Sequence, residues 1–149
     1  MITNSNAILQ NLKSLGYKVE FQEETDQVYY LIAHEGKSIP IFIKSISDGM
    51  VVQVVAFYPF KSEVNAHPDL ARFLHLMNKD IDMPGYGMDE NSRAVFYRLS
   101  IPTFEKKLKI SLLTTYLNTI EKVSRDTMNS IAPIANGSIT FKELIDKLQ

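Results

Sequence analysis

Three histidines, His34, His67 and His75, are the residues best suited to acid–base or metal chemistry, since imidazole titrates near neutrality and ligates zinc through either nitrogen. Their spacing serves neither purpose. A helical zinc motif of the H-E-x-x-H kind needs two histidines one turn apart, and His34-Glu35-Gly36 lacks the second. They read as a strand end, a helix start and a surface position. Asp80-Ile81-Asp82-Met83-Pro84-Gly85 opens like a calcium loop, with carboxylates at the first and third places and glycine at the sixth. Pro84 then offers no side-chain oxygen, and Asn91 stands where a bidentate glutamate is needed, so the segment reads as a helix-to-strand turn. Gly85-Tyr86-Gly87 does not join an apolar strand to a helix and cannot present a helix N-terminus to a phosphate. No G-x-S-x-G elbow, Walker loop or S-x-x-K motif occurs, and the chain has no cysteine for a thiolate, a zinc ribbon or a disulfide. The expectation is a non-enzymatic chain that needs no metal or organic cofactor, with an unrecognised small enzyme as the least favoured alternative.

Lys106, Lys107 and Lys109 form a small basic cluster near the predicted start of the third helix, where the helix dipole disfavours cations. A solvated face explains them, and docking of an acidic partner is the second reading. The whole chain carries 16 Lys+Arg against 17 Asp+Glu, a net charge of -1, and so lacks the positive field that drives binding to nucleic acid. Met1 to Gln10 has no basic residue and no continuous apolar stretch, so no export signal is expected. The most apolar window, Met50 to Phe60, falls well short of the roughly 20 residues that span a bilayer. No membrane partner and a cytoplasmic location are therefore expected. With 149 residues, 45% hydrophobic and 22% charged, the chain has the size and composition of one folded unit. We expect a single α+β domain over 1–149, with 134–149 a short C-terminal helical extension.

The elements that must position these residues follow from periodicity. Ile8, Leu9, Leu12 and Leu15 recur at helical spacing between Asn4-Ser5-Asn6 and Gly16, which supply a start and a stop. Tyr17, Val19 and Phe21 alternate with polar residues as a first strand, and Val28 to His34, Ile39 to Ile46 and Met50 to Phe57 make three more. Gly36-Lys37 and Asp48-Gly49 are the hairpin signals between them. Pro68 opens a second helix through Leu70, Phe73, Leu74 and Met77 that ends by Lys79, and Ala94 to Ser100 reads as a strand with which Tyr86 to Met88 can pair. Phe104, Leu108, Leu112, Tyr116, Leu117, Ile120 and Val123 predict a long third helix, interrupted at latest by Pro133. Thr140-Phe141-Lys142-Glu143 is a capping box for a closing helix, with Ile139 and Leu144 set for a hydrophobic staple.

A two-residue loop at Asp48-Gly49 sets Phe42 opposite Val55, Ile43 opposite Val54 and Lys44 opposite Gln53. Val28, Tyr30, Ile32, Ile39, Ile41, Ile43, Val52, Val54 and Ala56 then share a core face. Pro40 removes one ladder donor, which a bulge or a late strand start would accommodate. The opposite face, with Tyr29, Leu31, Phe42, Ile46, Val51, Val55 and Phe57, is too apolar to be left in water. Either a further helix of the chain or a partner covers it.

The resulting order, together with the stretch Leu70 to Pro102 (LARFLHLMNKDIDMPGYGMDENSRAVFYRLSIP), resembles the YbjN-like family of sensory transduction regulators and the related type III secretion chaperone-like fold. The resemblance implies an α+β fold, an antiparallel sheet flanked by helices in the order α-β-β-β-β-α-β-β-α-α. It also implies a regulatory or protein-interaction module, often a homodimer, with no catalytic residue to transfer. Tyr29, Leu31, Phe42, Val51 and Val55 are the expected contacts for a protein partner or client segment. A small-ligand sensor with a pocket under the second helix is the alternative.

Overall fold

A computed structural model describes residues 1–148, so that Gln149, the last residue of the expected extension, lies outside the described residues. Asn4 caps the first helix, α1 (Ser5–Ser14), by accepting the Ala7 N–H at 2.8 Å, and Ile8 and Leu12 are its buried face. Four strands follow: β1 (Glu20–Gln22), β2 (Gln27–His34), β3 (Lys37–Ile46) and β4 (Val51–Lys61). α2 (His67–Asp80), β5 (Tyr86–Met88), β6 (Ala94–Pro102), α3 (Ile110–Ala135) and α4 (Phe141–Leu148) complete the order expected from the sequence. The six strands form one antiparallel sheet, β1-β2-β3-β4-β6-β5.

All nine residues assigned to the core face are buried there, against Ile8 and Leu12 of α1, Leu70 and Leu74 of α2, and Leu113, Leu117 and Ile120 of α3. Each such side chain removed from water contributes about 1.5 to 3 kcal/mol. The β3–β4 register is the expected one, Lys44 on Gln53, Phe42 on Val55 and Ile43 on Val54. The turn that sets it is a Ser47–Met50 connection in which Ser47, Asp48 and Gly49 are all left-handed. The β2–β3 loop is Glu35–Gly36, one residue earlier than the Gly36-Lys37 signal, with His34 paired to Lys37. Pro40 needs neither a bulge nor a late start. It pairs with Leu31 on one side, while the β3–β4 ladder ends at Ile41 on Ala56, one residue short of it.

Three expectations are corrected around α3. Phe104 and Leu108 precede the helix: Glu105 (φ 51) and Lys106 (φ 57) reverse the chain in a two-residue hairpin, leaving Phe104 exposed while Leu108 turns into the core. Lys106 and Lys107 consequently lie on that hairpin, and only Lys109 adjoins the helix end. At the other end α3 runs through Pro133 to Ala135. The carbonyl that loses its donor belongs to exposed Asn129, which water can satisfy, and burial of Ile131, Ile134 and Ala135 on the opposite side holds the last turn. Thr140 caps α4 through the Glu143 N–H at 3.1 Å, and Phe141 tucks under Arg72, whose guanidinium lies 4.3 Å from the ring centroid.

Candidate functional site

The helices pack on one face of the sheet, and among the described residues no element covers the other. None of the apolar side chains on that outer face belongs to the buried core. An internal helix over this face, one of the two covers the sequence allowed, is thereby corrected: the buried side chains of α1, α2 and α3 all belong to the core on the inner side.

Directly opposed residues share a face, so the register fixes what the outer face presents. One row crosses five strands: Glu20, Tyr29, Phe42, Val55 and Arg98. Beside it stand Leu31 on Pro40 and Phe57 on Phe96. The rings of Tyr29 and Phe42, Phe42 and Phe57, and Phe57 and Phe96 have centroids 5.6, 5.7 and 6.0 Å apart, an unbroken aromatic chain across β2, β3, β4 and β6. Its ends are polar. The Tyr29 hydroxyl donates to Glu20 at 2.6 Å, which raises the phenol above its ordinary pKa, and the Arg98 guanidinium stands 5.6 Å from the Phe96 centroid. The two glycines of Gly85-Tyr86-Gly87 serve this edge. A Cβ on Gly85 would collide with the Arg98 carbonyl, and one on Gly87 would stand 2.6 Å from the Phe96 ring that lies over it.

The structure thus brings Tyr29, Leu31, Phe42 and Val55 into one patch and sets Val51 apart. The next row is polar, with Gln27, Lys44, Gln53 and Ser100, and only beyond it come Ile46, Val51 and Pro102. Leu31 is the most open of the five expected contacts, at 59% exposure. A shallow depression of about 350 Å³ lies at the β4–β6 end of the patch, floored by Val55, Phe57 and Phe96 and rimmed by Gln53, Asp89 and Arg98.

The residues weighed for chemistry are dispersed. His34 ends β2 with its Nε2 3.9 Å from Glu35, His75 is exposed on α2, and His67 is buried in the first turn of α2. His67 Nε2 lies 2.7 Å from the Ser62 hydroxyl, a nucleophile-and-base spacing that sequence reasoning missed because Ser62 closes a strand outside any known motif. Ser62 is fully buried and also reaches the Arg93 carbonyl at 3.3 Å, so the pair ties α2 to the sheet instead of meeting a substrate. The Asp80–Gly85 segment is the expected turn, closed by Asn78, whose side-chain oxygen accepts from the Gly85 and Tyr86 N–H groups and whose amide donates to the Tyr86 carbonyl. Among the described residues no three acidic or histidine side chains converge on a point that could hold a metal, and no helix is long and apolar enough to cross a membrane.

Tyrosines line the inner face. Burial pushes the phenols of Tyr30, Tyr58 and Tyr97 up, the last to about 12. Their hydroxyls bond Glu121 at 2.9 Å, Thr127 at 2.8 Å and the Met83 carbonyl at 2.6 Å. They are structural ties between the sheet and its surroundings.

No curated protein matches the chain. A family model described as "putative bacterial sensory transduction regulator" matches residues 4–129, which takes in the whole sheet, α1, α2 and most of α3. With that span matched and the element order in agreement, the chain belongs to the YbjN family.

Proposed function

We propose that this protein is a non-enzymatic, cytoplasmic regulatory module that acts by binding protein through the open face of its sheet, with Tyr29, Leu31, Phe42 and Val55 as the main contacts. The observation that carries the reading is the aromatic chain Tyr29–Phe42–Phe57–Phe96, which lies on a face of the six-stranded sheet that no helix covers among the described residues. Flat aromatic surface rimmed by Glu20 and Arg98 suits a protein surface or an extended client segment, and a second copy of the chain is the simplest occupant, in line with the dimers of proteins with the secretion chaperone-like fold. Membership in a family of sensory transduction regulators supports a regulatory setting.

The test is Phe42→Ala, followed by sedimentation equilibrium across micromolar concentrations and by urea denaturation. Association weakened by about 1 to 3 kcal/mol with a smaller loss of monomer stability is expected. Wild-type protein that stays at monomer mass and a variant that loses 3 kcal/mol or more of folding stability would together sink the reading. A small-ligand sensor has less support. The depression beside α2, about 300 Å³, is lined by His75, Asn78, Tyr86 and Glu90, and of these Asn78 is already spent on the backbone.

A further inference from the structure

The outer face of the sheet is charged at both edges, and the edges carry opposite signs at matching heights. Glu20 ends the row that runs through Tyr29, Phe42 and Val55, and Arg98 ends it on the other side. Lys18 stands two residues before Glu20 and lines a shallow depression with it, Tyr29 and Leu31. Asp89 stands across the sheet on the same side of the row, where its N–H donates to the Ala94 carbonyl at 2.9 Å and its side chain shares a depression with Arg98. Each edge thus shows one anion and one cation, with the order exchanged between them. All four are exposed, and none has an ion pair among the described residues. Glu20 and Arg98 lie four strand spacings apart, about 19 Å, too far to pair within one chain.

Two copies of this sheet can face each other across a two-fold axis set along the strands or across them. Along the strands, on the midline between β3 and β4, the axis lays each row on its own copy and exchanges the edges. Phe42 then faces the partner's Val55, Leu31 the partner's Phe96 and Lys44 the partner's Gln53. Lys61, level with Ala94 on this face, comes over the partner's Ser38. The Glu20 edge comes over the Arg98 edge, with Lys18 on the side of Asp89. Gly87 holds the outward position of β5 opposite Phe96, which leaves room there for the side chains of the partner's β1. Across the strands, an axis through the aromatic row instead sets Glu20 on Glu20 and Arg98 on Arg98, and presses Lys44 and Gln53 onto Pro40 and Phe57. Only the first arrangement matches apolar with apolar, polar with polar and anion with cation. Facing sheets keep their strands aligned to within about 30° at a separation of about 10 Å, which long charged side chains bridge at the rim.

We propose that the outer face seats a second copy of the chain about a two-fold axis parallel to the strands, with Glu20 paired to the partner's Arg98 twice per dimer. A two-fold interface demands a surface complementary to itself, and the exchanged edge charges meet that demand. The inference rests on the reading of this face as a protein-binding surface, and adds the orientation and the charges that select the partner.

The test uses Glu20→Arg and Arg98→Glu, singly and mixed, in sedimentation equilibrium. Each single variant should dimerise about tenfold more weakly than wild type or worse, because like charges then meet twice. An equimolar mixture of the two should recover the wild-type dissociation constant to within about threefold, since the mixed dimer has opposite charges at both rims. The double variant should recover it as well. Both positions are exposed, so thermal unfolding of the variants should be unaltered. Single variants that dimerise as tightly as wild type would overturn the proposal, and so would a mixture as weak as its components. In either case a dimer weakened by Phe42→Ala would leave the aromatic face standing as a contact surface. Wild-type protein at monomer mass across micromolar concentrations would overturn the second copy as occupant. The face as a protein-binding surface falls with it only if Phe42→Ala also destabilises the monomer as a core truncation would.

Discussion

Phe42 and Ile43 are neighbours on β3 and point to opposite sides of the same sheet. Ile43 is fully buried beneath the helices, whereas Phe42 lies in a line of rings outside the buried core. Both faces are apolar enough to have been chosen as core. What separates them is geometric matching: the inner face carries mostly β-branched and aliphatic side chains, which pack between helical ridges, and the outer face carries the aromatic chain with charged ends. Apolar content alone therefore does not tell the buried face from the uncovered one; the shape of the residues and their polar borders differ between the two.

The sharpest way to break this contrast is to truncate each neighbour. Ile43→Ala should cost about 2 to 5 kcal/mol in urea denaturation, since it leaves a cavity in the packed core, while the larger Phe42→Ala should cost about 1 kcal/mol. Equal losses would mean that the outer face is core after all. Gly85→Ala and Gly87→Ala come next. The first sets a methyl against backbone that cannot move and should destabilise by about 3 kcal/mol, whereas the second presses on Phe96, whose ring is free to swing toward solvent, and should cost about 1 kcal/mol. A reversed order would show Phe96 to be held from outside.

The tyrosines extend the contrast to pH. A phenol whose folded pKa is raised favours the folded state fully below its unfolded value of about 10, and that contribution is lost as pH climbs through the folded value. Tyr97, pushed up to about 12, together with Tyr30 and Tyr58, should make the melting temperature fall between pH 10 and 12, and Tyr97→Phe should flatten the fall. A melting temperature flat to pH 12 would contradict their burial. The smallest effect is expected at Pro40. Pro40→Val should change stability by about 0.5 kcal/mol at most, because the β3–β4 ladder has already ended there, and a gain well above that would reveal a missing ladder bond.

Much of this fold was legible in advance. Alternation placed every inner-face residue from Val28 to Ala56, and the turn at Asp48-Gly49 set the β3–β4 register, because a strand slipped by one residue would have exposed the whole set. The capping box and the α1 stop are equally local. Whether the opposite face is covered as well was not legible, since Phe42, Val55 and Phe57 are as apolar as their inner counterparts and only three-dimensional packing decides it. Phe104 was misplaced because its spacing to Leu108 imitates a helix, and nothing in Glu105-Lys106 announces a left-handed turn. The separation of Val51 from Phe42 emerges only once four strands are aligned, when Gln27, Lys44, Gln53 and Ser100 fall into line.

That polar line also sets a distance. Phe42 and Ile46 lie four residues apart on one strand, about 13 Å at the rise of an antiparallel strand. Both belong to a single hydrogen-bonded sheet, whose ladders fix their separation. Whatever rests on the aromatic rings therefore stands a set distance from the second apolar group, Ile46 and Val51, as on two rungs of one ladder.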